Sequence, residues 1–159
     1  MAELASNPAD QAVGQAGDGL TPTRVVQRFM DLLRRGEVDQ AVELLAVDVR
    51  YENVGLPTVH GRERVRRLFR GMSGGGGGFD VRIHTISADG ASVLTERTDV
   101  LKFRQLHVQL WVCGRFDVRD GEIVLWRDYF DYVNFTLAVM RGVLGVRLRA
   151  LRARLPAGA

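Results

Sequence analysis

The first half of the chain repeats its apolar residues at helical spacing. Thr21 followed by Pro22 is typical of a helix start, and Gly36 is typical of a helix end. The apolar residues between these signals lie three and four positions apart and predict a first helix. Similar spacing predicts two more helices with a short strand between them: helices over Val38–Leu45 and Gly61–Met72, and a strand over Val49–Val54.

The second half of the chain alternates apolar and polar residues, which is the period of a β-strand. Asp-Gly pairs at 89–90 and 120–121 are typical of hairpin turns. Together these signals predict a meander of strands: one from Phe79, then Ser92–Phe103, Leu106–Val118 and Glu122–Phe130. Helices followed by a meander indicate an α+β fold, in which helices pack on the concave side of a curved, mostly antiparallel sheet.

Composition divides the chain into three parts. Residues 1–20 have few apolar side chains to bury, so we expect a disordered tail. Residues 21–132 carry the predicted helices and strands and form one domain. Residues 133–159 hold five arginines, no acid and an apolar stripe at helical spacing. This part is expected to be an amphipathic helix that borders the pocket, packed on its own domain or a partner subunit rather than on an anionic membrane.

Charge and composition exclude several classes of protein. Because residues 133–159 contribute +5 to a net charge of +3, the rest of the chain carries −2, and nucleic-acid binding is not expected. No apolar run approaches the ~18–20 residues of a membrane-spanning helix, and no signal sequence is visible, so a cytoplasmic protein is expected. The single cysteine, Cys113, excludes an internal disulfide and is expected to be a buried, inert thiol.

Five consecutive glycines, Gly74–Gly78, separate the helical half from the strands. A phosphate-binding loop would continue into a lysine and a serine or threonine at a helix start, whereas here a strand follows. We therefore expect a flexible surface connection.

Several polar side chains lie on strand faces that are otherwise apolar. Because side chains two positions apart share a face, Arg97 lies with Asp99, and Tyr51 lies with Asn53. Asp128 lies in an otherwise apolar row on the last strand. If the sheet curls around a cavity, all of them face inward. An aspartate in such a place is costly unless it is paired, so one interpretation is a buried salt bridge that only stabilises the fold.

The other interpretation is an acid–base site. An arginine between two carboxyls neutralises one of them, while mutual repulsion keeps a proton on the other. Such a site holds a neutral acid and a carboxylate base near neutral pH. His60, His84 and His107 show no metal-ligand spacing, and neither a metal nor another cofactor is expected. A nucleophile elbow, which is a serine on a sharp turn from a strand into a helix, is not expected.

Three motifs resemble the limonene-1,2-epoxide hydrolase family, over about residues 21–131 of the chain. They are Tyr51-Glu52-Asn53, Thr95-Glu96-Arg97-Thr98-Asp99-Val100 and Trp126-Arg127-Asp128-Tyr129-Phe130-Asp131. The resemblance implies the cone-shaped fold of the nuclear transport factor 2 superfamily and a homodimer packed through the sheet. It also implies a reaction in which water opens a lipophilic epoxide to a vicinal diol in one step, without a covalent intermediate.

The resemblance further implies a role for each polar residue. Asp99 matches the acid that protonates the epoxide oxygen, and Asp128 matches the base that takes a proton from water. Arg97 matches the arginine that bridges the two carboxyls, while Tyr51 and Asn53 match the groups that hold the water. Other residues are expected to line the substrate pocket: Trp126, Phe130, Leu101, Val93, Leu137 and Met140.

Two other kinds of function stay open at this point. A ketosteroid isomerase or a polyketide cyclase of the same fold also uses aspartates in an apolar cone. A non-catalytic domain that binds a lipophilic ligand would leave the polar residues structural. The arginine two residues before an aspartate favours the hydrolase. The glycine run and the arginine-rich C-terminal part are not typical of the limonene enzyme and point to relatives with larger lipophilic substrates.

Overall fold

The computed structural model describes residues 20–74, 77–104, 106–131, 136–137 and 139–140. Its helices and strands follow one another in this order: α1 (Pro22–Arg34), α2 (Val38–Val42), β1 (Leu45–Asn53), β2 (Val59–His60), α3 (Arg62–Ser73), β3 (Gly77–Asp89), β4 (Ser92–Phe103), β5 (Leu106–Arg119) and β6 (Glu122–Tyr129). The strands form one six-stranded sheet in the order β2-β1-β6-β5-β4-β3. β1 and β6 pair in parallel, and the other neighbours pair antiparallel. The predicted α+β class is confirmed.

The curvature of the sheet has a local cause. The pairing register shifts between Ile83 and Thr85 of β3, and between Asp117 and Val118 of β5. A third shift lies between Leu45 and Arg50 of β1. Such bulges bend a strand and increase its twist, so that a sheet of this size curves instead of lying flat.

The boundary between α2 and β1 differs from the prediction. The helix ends at Val42, and the strand begins at Leu45 instead of Val49. The cause is a partner distant in the sequence, since Leu45 pairs with Ile123 of β6. Helical spacing in this stretch could not reveal that pairing. The two-residue strand β2, which was not predicted, is too short to show an alternation.

Part of the glycine run belongs to a strand. Gly77 and Gly78 belong to β3 and pair with the end of β4, so the predicted connection over Gly74–Gly78 was too long. A Cβ atom built on Gly77 would overlap the carbonyl oxygen of Met72 in α3. The backbone of α3 therefore lies very close to the start of β3. This close approach leaves room only for glycine.

Helices α1 and α3 cover one face of the sheet with apolar side chains. From α1, the ring of Phe29 meets the indole of Trp126 edge-on, with ring centroids 5.0 Å apart. From α3, Phe69 stacks on the same indole at 5.5 Å. Burial of each such ring contributes roughly 1.5–3 kcal/mol, and aromatic contacts of this geometry add to it. The core therefore holds Trp126 of β6 in one orientation.

Both ends of the chain lie largely outside the described residues. The predicted disordered tail, residues 1–20, is described only at Leu20, and residues 141–159 are not described. The amphipathic C-terminal helix therefore stays a prediction. Among the described residues, no helix is long and apolar enough to cross a bilayer.

Candidate active site

A cavity of about 290 Å³ lies between the helices and the sheet. One end of it is polar and is formed by Tyr51, Asn53, Asp99 and Asp128. Its walls are apolar and include Phe69, Phe79, Leu101, Val112, Trp126 and Phe130. A concave, mostly apolar site with a few convergent polar groups is the usual form of a small-molecule site.

Strand register brings the polar residues together. Asn53 of β1 pairs with Asp128 of β6, and Asp128 pairs in turn with Gly114 of β5. Gly114 then pairs with Thr95 of β4. These four residues form one row across four neighbouring strands, and side chains in such a row share a face of the sheet. The expected inward orientation of Asp128 and Asn53 follows from this row.

The guanidinium of Arg97 lies between the two carboxyls. Its Nε donates to both oxygens of Asp99, at 3.0 and 3.2 Å. Its Nη2 lies 2.7 Å from Oδ1 of Asp128, as an ion pair whose N–H groups are not aligned for a hydrogen bond. Its Nη1 donates to Oγ1 of Thr95 at 3.2 Å, and the cation lies 5.8 Å from the ring centre of Phe116. Arg97 is fully buried, so these contacts replace its hydration.

Gly114 provides the space for this arrangement. A Cβ atom built on Gly114 would overlap Nη1 of Arg97, and it would lie 2.8 Å from Oγ1 of Thr95 and 3.1 Å from Oδ1 of Asp128. Thr95 also donates to the carbonyl oxygen of Gly114 at 3.4 Å. Sequence reasoning assigned neither residue to the site. A glycine inside a strand pattern was the available signal, because it marks a place where another group approaches closely.

The environment shifts the pKa values of the site in ways that suit acid–base chemistry. Burial raises the pKa of Asp99 to about 6; Arg97 opposes this rise and the charge of Asp128 adds to it. Burial lowers the pKa of Arg97, but the charges of Asp128 and Asp99 outweigh it and raise that pKa above its ordinary value. Arg97 therefore stays charged, while Asp99 is able to hold a proton near neutral pH.

Tyr51 and Asn53 stand beside the carboxyls on β1. The hydroxyl of Tyr51 donates to Oδ1 of Asn53 at 3.4 Å. Burial, together with the charge of Asp128, raises the pKa of Tyr51 well above its ordinary value. The phenol therefore stays neutral and keeps a proton to donate.

The apolar residues expected in the pocket divide into two groups. Trp126, Phe130 and Leu101 line the cavity. Val93, by contrast, is fully buried in the hydrophobic core and is not part of the cavity lining. Leu137 and Met140 are 56% and 58% exposed and are not part of the described lining.

Other lining residues were missed because an apolar side chain on a cavity wall has the same sequence pattern as one in the core: Leu56, Phe69, Met72, Phe79, Leu110 and Val112. In the described part of the chain, no group of three His, Cys, Asp or Glu side chains is arranged to hold a metal ion.

On the outer face of the sheet, Arg127 forms an ion pair with Glu52 of β1. This agrees with the strand alternation, which directs Arg127 away from Asp128.

The fold and the site define a class of protein: an α+β cone with a buried carboxyl–arginine–carboxyl set at the end of an apolar cavity. Residues 20–141 match the family model of the limonene-1,2-epoxide hydrolase catalytic domain. The chain belongs to this family, as its motifs predicted.

Individual relatives agree with this assignment. Epoxide hydrolase EphG of Mycobacterium tuberculosis is 46% identical over 130 residues, which cover 82% of this chain and 87% of EphG. The solved structure of an M. tuberculosis LEH-like epoxide hydrolase has a TM-score of 0.79 and 45% identity, over 84% of this chain and 95% of that one. An NTF2-like protein of unknown function from Cytophaga hutchinsonii, at 19% identity, covers 73% of this chain and 95% of its own with a TM-score of 0.61, which shows the shared fold alone.

Proposed function

We propose that this protein is an epoxide hydrolase in which Asp99 protonates the epoxide oxygen while Asp128 takes a proton from the attacking water. Membership of the limonene-1,2-epoxide hydrolase family supports the reaction. The observation that carries the assignment of residues is the buried guanidinium of Arg97, in contact with both carboxyls at the polar end of an apolar cavity.

Asp99 is the acid. An epoxide carbon–oxygen bond breaks readily only when a proton reaches the oxygen, since an alkoxide is a poor leaving group. The raised pKa of Asp99 keeps a proton available on a carboxyl group that the cavity reaches. A general acid of this kind contributes roughly 10²- to 10⁴-fold to the rate.

Asp128 is the base. Asn53 pairs with it across β1 and β6, and the Tyr51 hydroxyl lies next to Asn53, so three polar groups adjoin one another at this wall. A water held among them passes one proton to Asp128 as its oxygen bonds to the epoxide carbon. The proton must then return from Asp128 to Asp99, and water that refills the cavity can carry it.

Arg97 supplies the positive charge between the two carboxyls. Its positive charge stabilises Asp128 as a carboxylate and compensates the buried charge of the pair. When the proton leaves Asp99, the bond from Nε stabilises the carboxylate that forms.

The substrate is a lipophilic epoxide. The cavity of about 290 Å³ is lined mainly by aromatic and aliphatic side chains, and its polar groups are concentrated at one end. A largely hydrocarbon molecule therefore binds with its epoxide directed at the carboxyls. The test is incubation of the protein with a panel of lipophilic epoxides of increasing size, with detection of the diols. Absence of diol from every epoxide would refute the proposal.

The outer face of the sheet is proposed as the contact between two copies of the chain, as the family resemblance implies. Leu94 and Trp111 are each 56% exposed there, and Tyr129 is 42% exposed. Large apolar side chains gathered on one face are typical of an interface. Sedimentation of Leu94→Glu should give a monomer, whereas Leu68→Glu, at an exposed position on α3, should sediment as the wild type does. A monomeric wild type would refute the dimer.

Residues 133–159 are proposed to border the pocket as an amphipathic helix, in line with their apolar stripe. Leu137 and Met140, at the start of this stripe, leave more than half of their surface exposed and free to pack on another surface. A chain truncated after Asn134 should show a raised KM for large epoxides. Binding of the full chain, but not the truncated one, to anionic vesicles would favour a membrane contact instead.

A further inference from the structure

Trp126 contacts the proposed base as well as lining the cavity. Its indole Nε1 donates a hydrogen bond to Oδ1 of Asp128 at 2.8 Å, and both side chains are buried. Nη2 of Arg97 lies 2.7 Å from the same oxygen. Among the described residues, the hydrogen bond to this carboxylate is made to Oδ1 and none is made to Oδ2. Within this part of the chain, the second oxygen is therefore available to water.

The indole that makes this bond is tightly packed. Phe29 meets it edge-on at 5.0 Å, and Tyr51 contacts it with ring centroids 4.1 Å apart. Phe69 and Phe116 stack on it at 5.5 and 6.0 Å. Because rings surround the indole, its N–H cannot turn away without disturbing the core. The direction of the N–H is therefore set by the packing of the helices on the sheet.

We propose that Trp126 is a positioning residue that holds Oδ1 of Asp128 and so presents Oδ2 to the attacking water. The inference rests on the proposed hydrolysis. A base is effective when its oxygen stays within hydrogen-bond reach of the proton that it removes. A hydrogen bond from a neutral N–H also stabilises the carboxylate form that a base requires. Trp126 supplies both effects through its hydrogen bond to Asp128.

Trp126→Phe tests the hydrogen bond, because phenylalanine keeps an aromatic ring on the cavity wall and lacks the N–H. The kcat for diol formation should fall ~10-fold or more, a part of what a general base contributes. KM should change little, and the acidic limb of the kcat/KM profile should move to higher pH. Trp111→Phe is the matched control, since the Trp111 indole donates to Glu96 on the outer face of the sheet. This control should leave kcat and the profile unchanged.

A second variant separates the hydrogen bond from packing. Phe29→Leu loosens the core against the indole but leaves the N–H in place. It should lower stability without moving the acidic limb. If Trp126→Phe loses stability but keeps its kcat and its acidic limb, the residue is merely structural and the inference is wrong. The same holds if Phe29→Leu moves the limb as far as Trp126→Phe does.

A measurement without substrate distinguishes the inference from the proposed function. The chain has two tryptophans, so Trp111→Phe assigns both indole N–H signals in a ¹⁵N spectrum. The Trp126 signal should shift in Asp128→Ala, while the Trp111 signal stays and reports an intact fold. If Asp128→Ala shifts the Trp126 signal but the wild type forms no diol, the proposed hydrolysis is refuted and the hydrogen bond is kept. If the wild type forms diol but Asp128→Ala leaves the Trp126 signal unshifted, only the inference about Trp126 is refuted.

Discussion

Gly114 of β5 and Arg97 of β4 share one space: a Cβ atom on the glycine would overlap Nη1 of the arginine. Arg97 is fully buried and in contact with Asp99 and Asp128, so a displacement of its guanidinium would disturb both ion pairs. The backbone of Gly114 is not in the left-handed region, and the constraint is therefore one of volume. One missing side chain on β5 thus allows the carboxyl–arginine–carboxyl arrangement to form.

Gly114→Ala is expected to lower the free energy of unfolding by about 1–3 kcal/mol, because the methyl group overpacks a buried cluster. Diol formation should fall roughly 10- to 100-fold as the guanidinium is displaced. Denaturant unfolding and initial rates check this. Gly71→Ala is the control, because a Cβ atom there, on an exposed turn of α3, meets nothing within 4 Å. An active and fully stable Gly114→Ala protein would contradict the volume argument.

Asp99→Asn and Asp128→Asn should each reduce kcat by ~100-fold or more, since each removes one general acid or base step. Both amides match the shape of the carboxyls, so the fold should persist, which circular dichroism verifies. Asp39→Asn removes a carboxylate that pairs with Arg70 on the surface, and it should keep its activity. A rate above about a tenth of wild type in either site variant would show that its carboxyl is not the acid or base.

Arg97→Lys should be almost inactive even though the charge is retained. The guanidinium contacts Asp99, Asp128 and Thr95 through three different nitrogens, and a single ammonium cannot reach all three. Initial rates compared with Arg64→Lys, an exposed substitution on α3, check this. Full activity of the lysine variant at position 97 would mean that charge alone is needed.

The pH dependence follows from Asp99. Its pKa of about 6 in the folded protein lies above the 3.8 of an ordinary aspartate, so the folded state binds a proton that the unfolded chain releases. The contribution of Asp99 to the free energy of unfolding is fully present below pH about 4. It decreases by ~3 kcal/mol as the pH rises through about 6. The value of kcat/KM should decline above pH about 6. The free energy of unfolding, measured against pH for wild type and for Asp99→Asn, isolates the contribution of Asp99. If the two curves run parallel, the pKa of Asp99 is not raised.

Water should attack the epoxide directly. In a single turnover with excess enzyme in ¹⁸O-water, the label is expected in the diol and absent from Asp99 and Asp128. A covalent route would put an enzyme carboxylate oxygen into the first diol and replace it from solvent. Mass spectrometry of product and of peptides distinguishes the two. Labelled aspartate with unlabelled diol would overturn the one-step mechanism.

The sequence by itself predicted the order of elements apart from β2, and it singled out Arg97, Asp99 and Asp128 as polar residues on apolar strand faces. Period-two alternation is a local property, so it was enough to show that Arg97 and Asp99 share one strand face and that Asp128 interrupts an apolar row. The same local signals predicted β4 with its observed ends. Three short motifs then identified the family, because they occur together and in order.

Only the tertiary structure decided which strands stand side by side. The parallel pairing of Asn53 with Asp128, the place of Gly114 beneath Arg97, and the hydrogen bond from Trp126 all depend on register between distant segments. Val93 carries the same local pattern as Leu101, yet one lies in the core and the other on the cavity wall. Alternation shows which face a side chain occupies. What covers that face is set by the packing of α1 and α3, which no local pattern encodes.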